Sequence, residues 1–138
     1  MANNIYFDTN IFLDLLDSTR PFAKASATLF RELLEEGKTV YINSDTVTTA
    51  FYVMSRARRY PPEELCKFFQ KLVSLFVIVP VENSEAMDAF SLCADPNNPY
   101  EDYEDTLQYI CAKKIGAEFI VTNDQSFVEL DIEVRSVL

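Results

Sequence analysis

Ile5-Tyr6-Phe7-Asp8-Thr9-Asn10 is an apolar run that ends abruptly in an acid, a hydroxyl and an amide. Ile11, Phe12, Leu15 and Leu16 then recur at helical spacing, so Asp8 falls where a buried strand hands over to a helix. In an open parallel α/β sheet, ligands bind beyond the carboxyl ends of the strands, where backbone amides and helix N-termini converge. An acid at such a junction is either a helix cap or a metal ligand.

Two further stretches repeat the pattern. Phe119-Ile120-Val121 closes on Thr122-Asn123-Asp124, which puts Asp124 at a second carboxyl strand end. Asp102-Tyr103-Glu104-Asp105 precedes Leu107, Ile110, Cys111 and Ile115 at helical spacing. Asp102 and Asp105 are expected on one face of that helix's first turn, with Glu104 pointing off it. If the strands carrying Asp8 and Asp124 are near neighbours, the acids meet at one sheet edge. Unpaired carboxylates repel, so such a cluster implies a bound cation. Each acid also has a plainer reading: an N-cap for Asp8, an Asx-turn for Asp124, and a complement to the helix dipole for Asp102, Glu104 and Asp105. The ranking by position is Asp8, Asp105 and Asp124 as core ligands, Asp102 next and Glu104 last, with Asp14 and Asp45 as outer candidates.

These stretches together resemble the PIN-domain ribonucleases, which include the VapC-type toxins of bacterial toxin–antitoxin pairs. The resemblance rests on Asp8-Thr9-Asn10 after the first strand, Asp102-Tyr103-Glu104-Asp105-Thr106-Leu107-Gln108 opening a late helix, and Ile120-Val121-Thr122-Asn123-Asp124 with Phe127 following. It spans nearly the whole chain in order and length. It implies the PIN arrangement, with the first strand central, and a metal-dependent ribonuclease. One position departs from the pattern: where many members carry a glutamate on the helix after the second strand, this chain has Thr49. A branch of PIN-like proteins lacks that glutamate, often with Asn instead, and this chain is similar to that branch.

Composition narrows the chemistry independently. A chain of 138 residues with 49% hydrophobic content is expected to form one domain over residues 1–138 with a single core. There is no histidine, which excludes Ser-His-Asp and Cys-His catalysis and any imidazole base. Cys66, Cys93 and Cys111 are scattered and form no Cys-x-x-Cys pair, so they read as small buried residues in a reducing compartment. The longest apolar stretch, Leu75 to Val81, is too short to span a bilayer, and Met-Ala-Asn-Asn opens no signal peptide. No membrane association and a cytoplasmic location are expected. A net charge of -10 argues against indiscriminate nucleic-acid binding. Arg56, Arg58 and Arg59 form the densest basic group, a candidate RNA contact or simply a solvated helix end, and Lys113-Lys114 is a smaller pair.

The periodicity predicts helices from Asn10 to Ser18, Pro21 to Gly37, Asp45 to Tyr60, Glu63 onward, Ser84 to Ala94, and after Asp102. Strands are expected at Val40–Ile42, Phe76–Val81 and Ile132–Val137 besides the two already named, with Phe76–Val81 buried because its apolar run is continuous. Asp95 to Tyr100 is the clearest loop. Alternation of strands and helices gives an α/β fold: three layers, α/β/α, around a mostly parallel sheet of about five strands. Phe51, Tyr52, Phe68 and Phe69 are a possible base-stacking surface, though a helical aromatic stripe is more often core.

The function expected is hydrolysis of RNA phosphodiesters with Mg²⁺ or Mn²⁺, which prefer oxygen ligands. Thr9, Asn10, Thr49 and Thr122 would support the carboxylates from behind. A haloacid-dehalogenase phosphatase would need an aspartate where Asn10 stands, and a receiver domain would need one after the third strand, where Pro80-Val81-Glu82 offers none. The alternative from another class is a catalytically weakened PIN-like module acting through RNA or protein binding. RNA, a cognate antitoxin protein and a second copy of the chain are the expected partners.

Overall fold

β1 (Asn4–Phe7) lies at the centre of the sheet because it is apolar on both faces. Ile5 and Phe7 point into one core and Tyr6 into the other, and all three are fully buried. The computed structural model describes residues 3–100 and 102–137. After β1 come α1 (Thr9–Leu16), α2 (Ala23–Glu35), β2 (Thr39–Asn43), α3 (Ser44–Ala57), α4 (Pro62–Val73), β3 (Val77–Val79), α5 (Asn83–Ala94), α6 (Tyr103–Lys114), β4 (Phe119–Val121) and β5 (Glu133–Arg135). The five strands run in the order β3-β2-β1-β4-β5, and every pairing is parallel. β1 and β4 are direct neighbours, with Phe7 opposite Val121, so the residues that follow them emerge side by side.

Helices cover both faces. Against Ile5, Phe7, Val40, Ile42 and Val121 pack α1 to α4, through an aromatic group in which Phe30 stacks on Phe76 at 4.6 Å and Phe12 meets Phe76 edge-on at 5.3 Å. Each buried ring of this kind stabilises the fold by about 1.5–3 kcal/mol. On the other face α5 and α6 bring Ala89, Leu107, Cys111 and Ala112 against Tyr6 and Ile120.

Element ends follow local chemistry. α2 begins at Ala23, two residues later than Pro21, which sits in the preceding turn. Its end at Glu35 is followed by Gly37, whose φ of 78° suits a residue without Cβ; the Gly37 and Lys38 amides donate to the carbonyls of Leu34 and Leu33. α4 starts at Pro62 itself, where proline costs no hydrogen bond.

The third strand differs from its expectation. It is the short edge strand β3, with Val77 45% and Ile78 37% exposed, and only Val79 is buried. A continuous β-branched run signals two covered faces only when strands flank it on both sides, and here Pro80, without an N–H, ends the pairing after three residues. Cys66 also departs from its expectation, being exposed on α4.

Candidate active site

Asp8 closes β1 and caps α1 with one and the same side chain. Its Oδ1 accepts the Thr9 N–H at 2.7 Å. Its Oδ2 accepts the Thr122 hydroxyl at 2.7 Å and the Asn10 amide Nδ2 at 3.1 Å. Thr9, Asn10 and Thr122 therefore hold the carboxylate from behind. Three donors on about four acceptor positions leave one open. Asp8 is buried, and burial pushes its carboxyl up to about 6 against the lowering effect of Thr122 and Thr9; the charges of Glu104 and Asp124 raise it further.

The other acids surround this point, each with a local role as well. Asp102 caps α6, its Oδ1 accepting the Asp105 N–H at 2.8 Å. Asp124 makes the Asx-turn, its Oδ1 accepting the Ser126 N–H at 2.9 Å and the Ser126 hydroxyl at 2.7 Å. Asp105, half-buried in the first turn of α6, is pushed up to about 7 by burial and then by Asp102, Asp8, Asp124 and Glu104. Glu104 is raised by burial, Asp102 and Asp124. Among the described residues no three acids already stand close enough to form a ready-made metal group. The arrangement is an open acidic cleft.

Glu104 does not point off the site. It lines a cavity of about 200 Å³ with Thr9, Asp45, Thr46, Thr49 and Gln108. The reason is Gln108, one turn further along α6, whose Nε2 donates to the Thr9 hydroxyl at 2.8 Å and reaches the Thr46 hydroxyl at 3.4 Å. At 100° per residue Gln108 lies between the directions of Glu104 and Asp105, so anchoring it turns both acids toward α1. Thr49 stands on the α3 wall of the same cavity. Asp45 lines it too, whereas Asp14 is buried and committed elsewhere, accepting from Arg20 Nε at 2.7 Å and from the Ser26 hydroxyl at 2.6 Å.

The basic group is placed apart from the acids. Arg56 and Arg58 lie at the far end of α3, about 15 Å along the helix from Thr46. Arg58 closes that helix in the left-handed conformation at φ 54°, Arg56 sits over the Tyr52 ring at 5.6 Å, and Arg59 pairs with Asp17 at 2.7 Å. Phe51 and Phe69 pack edge-on at 5.0 Å and belong to the first core, leaving Tyr52 as the exposed ring. A larger hollow, about 750 Å³ between α3 and α4, is apolar and lined by Phe51, Tyr52, Phe69 and Val73. It carries none of the acids; of these, Asp45 and Glu104 line the smaller cavity, and Asp124 lines a separate hollow with Thr122 and Asn123.

The donors suit a hard divalent cation: all are oxygen and Asp8 keeps an open acceptor position, while burial first and the neighbouring acids second raise the Asp8 and Asp105 carboxyls. Sequence reading missed Gln108 and its partners Asn43 and Tyr6 as parts of the site; an amide one turn after a pair of acids was the available signal.

Comparison with known proteins identifies the family. Residues 4–126 match the family described as PIN domain, and the chain belongs to that family. It is 33% identical over 133 residues to Ribonuclease VapC1 of Aquifex aeolicus (strain VF5), covering 96% of this chain and 90% of that protein. Among solved structures, VapC20 of Mycobacterium tuberculosis, described as a sarcin-ricin loop cleaving toxin, superposes with a TM-score of 0.69 at 12% identity, over 91% of this chain and 98% of that one. A toxin-antitoxin complex from Klebsiella pneumoniae gives 0.69 at 19% identity, over 97% and 98%. At such identities these two show the fold alone.

Proposed function

We propose that this chain is an endoribonuclease that hydrolyses RNA phosphodiester bonds with a divalent metal ion, and that it is the toxin of a toxin–antitoxin pair. The observation that carries the reading is Asp8, a buried carboxylate at the carboxyl end of the central strand, held by three donors and facing the charges of Glu104, Asp105 and Asp124. The 33% identity to a ribonuclease supports it. Asp8, Asp105 and Asp124 would hold Mg²⁺ or Mn²⁺, with Asp102 and Glu104 beside them. When bound, such an ion lowers the pKa of a water and offsets charge on a phosphate.

The chain's own contribution is orientation. Thr122 and Asn10 fix Asp8 Oδ2, and the Thr9 amide fixes Oδ1, so the carboxylate cannot swing. The N-termini of α1, α3 and α6, capped by Asp8, Asn43 and Asp102, open at this edge, and the helix dipoles favour phosphate charge there. Thr49, Arg56 and Arg58 belong to the same proposal, the first shaping the cavity and the arginines contacting RNA away from the scissile bond. No helix among the described residues is long and apolar enough to cross a membrane, and a cytoplasmic site of action is part of the proposal.

Partners enter on the same footing. The apolar groove between α3 and α4, lined in part by the exposed Tyr52, suits a segment of an antitoxin protein, and the exposed Met87 and Phe90 on α5 suit pairing with a second copy of the chain. A non-catalytic binding module is the second reading, favoured by Thr49 and by the open spacing of the acids. Incubation of purified protein with RNA separates the two. Cleavage is expected only with Mg²⁺ or Mn²⁺ and is lost in Asp8→Asn; RNA binding without cleavage under every metal condition would decide for the module.

A further inference from the structure

Gln108 uses every hydrogen-bonding position it has. Its Oε1 accepts from the Tyr6 hydroxyl and from Asn43 Nδ2 at 3.3 Å, and its Nε2 donates to the hydroxyls of Thr9 and Thr46. The two hydroxyls are themselves 2.9 Å apart. The amide's orientation is dictated by its neighbours: Asn43 Oδ1 is taken by the Thr46 N–H at 2.8 Å, so Asn43 must present its NH₂ to Gln108, and Gln108 must answer with its oxygen. Tyr6, Asn43, Thr46 and Gln108 are all 2% exposed or less. This one side chain therefore ties α6 to β1, to the end of β2, to the start of α1 and to the start of α3.

We propose that Gln108 is a positioning residue of the active site, setting the depth and rotation of α6 so that Glu104 and Asp105 stand against Asp8. The inference rests on the proposed function and deepens it. A plain packing role would be met by any side chain of the right volume. The saturated amide instead fixes direction: its donors address Thr9, the residue after Asp8, and Thr46, one turn before Thr49 on the opposite wall. A slip of α6 by a fraction of a turn would separate the acids while leaving Leu107 and Cys111 free to repack on Tyr6 and Ile120.

The test compares Gln108→Leu with Met54→Ala, a substitution in the first core, on folded protein well below either unfolding midpoint. Calorimetric titration with Mn²⁺ should show the affinity of Gln108→Leu reduced roughly tenfold or more, the loss seen when support behind a metal ligand is removed, and that of Met54→Ala unchanged. RNA cleavage by Gln108→Leu should fall in kcat with KM little moved. Gln108→Glu gives a second arm should Gln108→Leu fail to fold: a buried acid there can donate only while protonated, so its Mn²⁺ affinity should approach the parent's at low pH and fall away as pH rises. Equal Mn²⁺ affinity in the parent and Gln108→Leu, or in the parent and Gln108→Glu at a pH where the introduced carboxyl has ionised, would overturn the proposal. Asp8→Asn run alongside keeps the two readings apart: undiminished Mn²⁺ affinity in Asp8→Asn removes the metal site itself, whereas a loss there but not at position 108 removes only the role of Gln108.

Discussion

Asp8 caps α1 through Oδ1 while Oδ2 is steered by Thr122 and Asn10, so the cap leaves the proposed ligand role open, because a carboxylate has two oxygens. Asp102 and Asp124 also make their local hydrogen bonds through a single oxygen, Oδ1, so a cap or turn does not exclude a ligand role. Burial sets the energetics. A carboxyl at about 6 in the fold and 3.8 when unfolded favours the folded protein in acid, and that advantage is lost as pH rises from about 4 to beyond 6. For Asp8 the difference is about 3 kcal/mol, and Asp105, pushed to about 7, acts in the same direction up to a higher pH. Metal-free protein should therefore melt at a lower temperature at pH 8 than at pH 5, and Asp8→Asn should flatten that slope and melt higher than the parent at pH 8. Thermal unfolding in EDTA checks it, and a parent protein that gains stability toward pH 8 would contradict the burial of this charge. At Thr49 the opposite manipulation applies. Thr49→Glu adds a carboxylate to the cavity wall facing Glu104, and it should tighten Mn²⁺ binding while lowering metal-free stability. Glu104 was misjudged from spacing because the helix face is set not by the acids but by the buried Gln108 behind them.

Among elements, strand and helix types were legible because the periods differ, and the central place of β1 followed from the resemblance to PIN domains. What periodicity could not give was the difference between a covered strand and an edge: Val77 and Ile78 read as buried and lie open. Nor could it tell which basic residues are committed. Lys114 pairs with Glu85 at 2.7 Å, and Glu85, buried on α5, is held down at about 2 by Lys114, by Ser84 and by the Glu82 amide. Lys113 pairs with Asp131 at 2.8 Å. Both lysines end α6, the helix whose start holds the acids, and they fasten it to α5 and to the segment before β5. Arg56 and Arg58 have no ion pair among the described residues. Lys114→Glu should therefore lower stability in urea, with the stability held by Glu85 normally present above its unfolded pKa and lost only as pH falls toward about 2. Arg56→Glu with Arg58→Glu should leave stability within about 0.5 kcal/mol and weaken RNA binding instead. Equal RNA affinity after the arginine reversal would assign that helix end to a protein partner.

The whole molecule is an unusual nucleic-acid enzyme electrostatically, with 22 acidic residues against 12 basic ones. Eight of those twelve are in ion pairs, and among the described residues only Lys24, Arg56, Arg58 and Lys71 are not. Affinity for RNA that came from displaced counterions would scale with the number of free cations in contact, and the slope for single strands is about -0.7 per phosphate neutralised. Two to four contacts give a slope of about -1.5 to -3 in log affinity against log salt. The cleft itself adds repulsion until a divalent ion is present, so Mn²⁺ should raise the RNA affinity of the parent at fixed ionic strength. The same ion should do far less for Asp8→Asn. Fluorescence anisotropy with a short RNA that cannot be cut, between about 50 and 200 mM salt, measures both quantities. A slope steeper than about -5 would require a larger basic surface than one chain presents, and would place the RNA across an assembly of chains; a slope in the expected range with no response to Mn²⁺ would mean that RNA binds at the arginine end of α3 without reaching the acids.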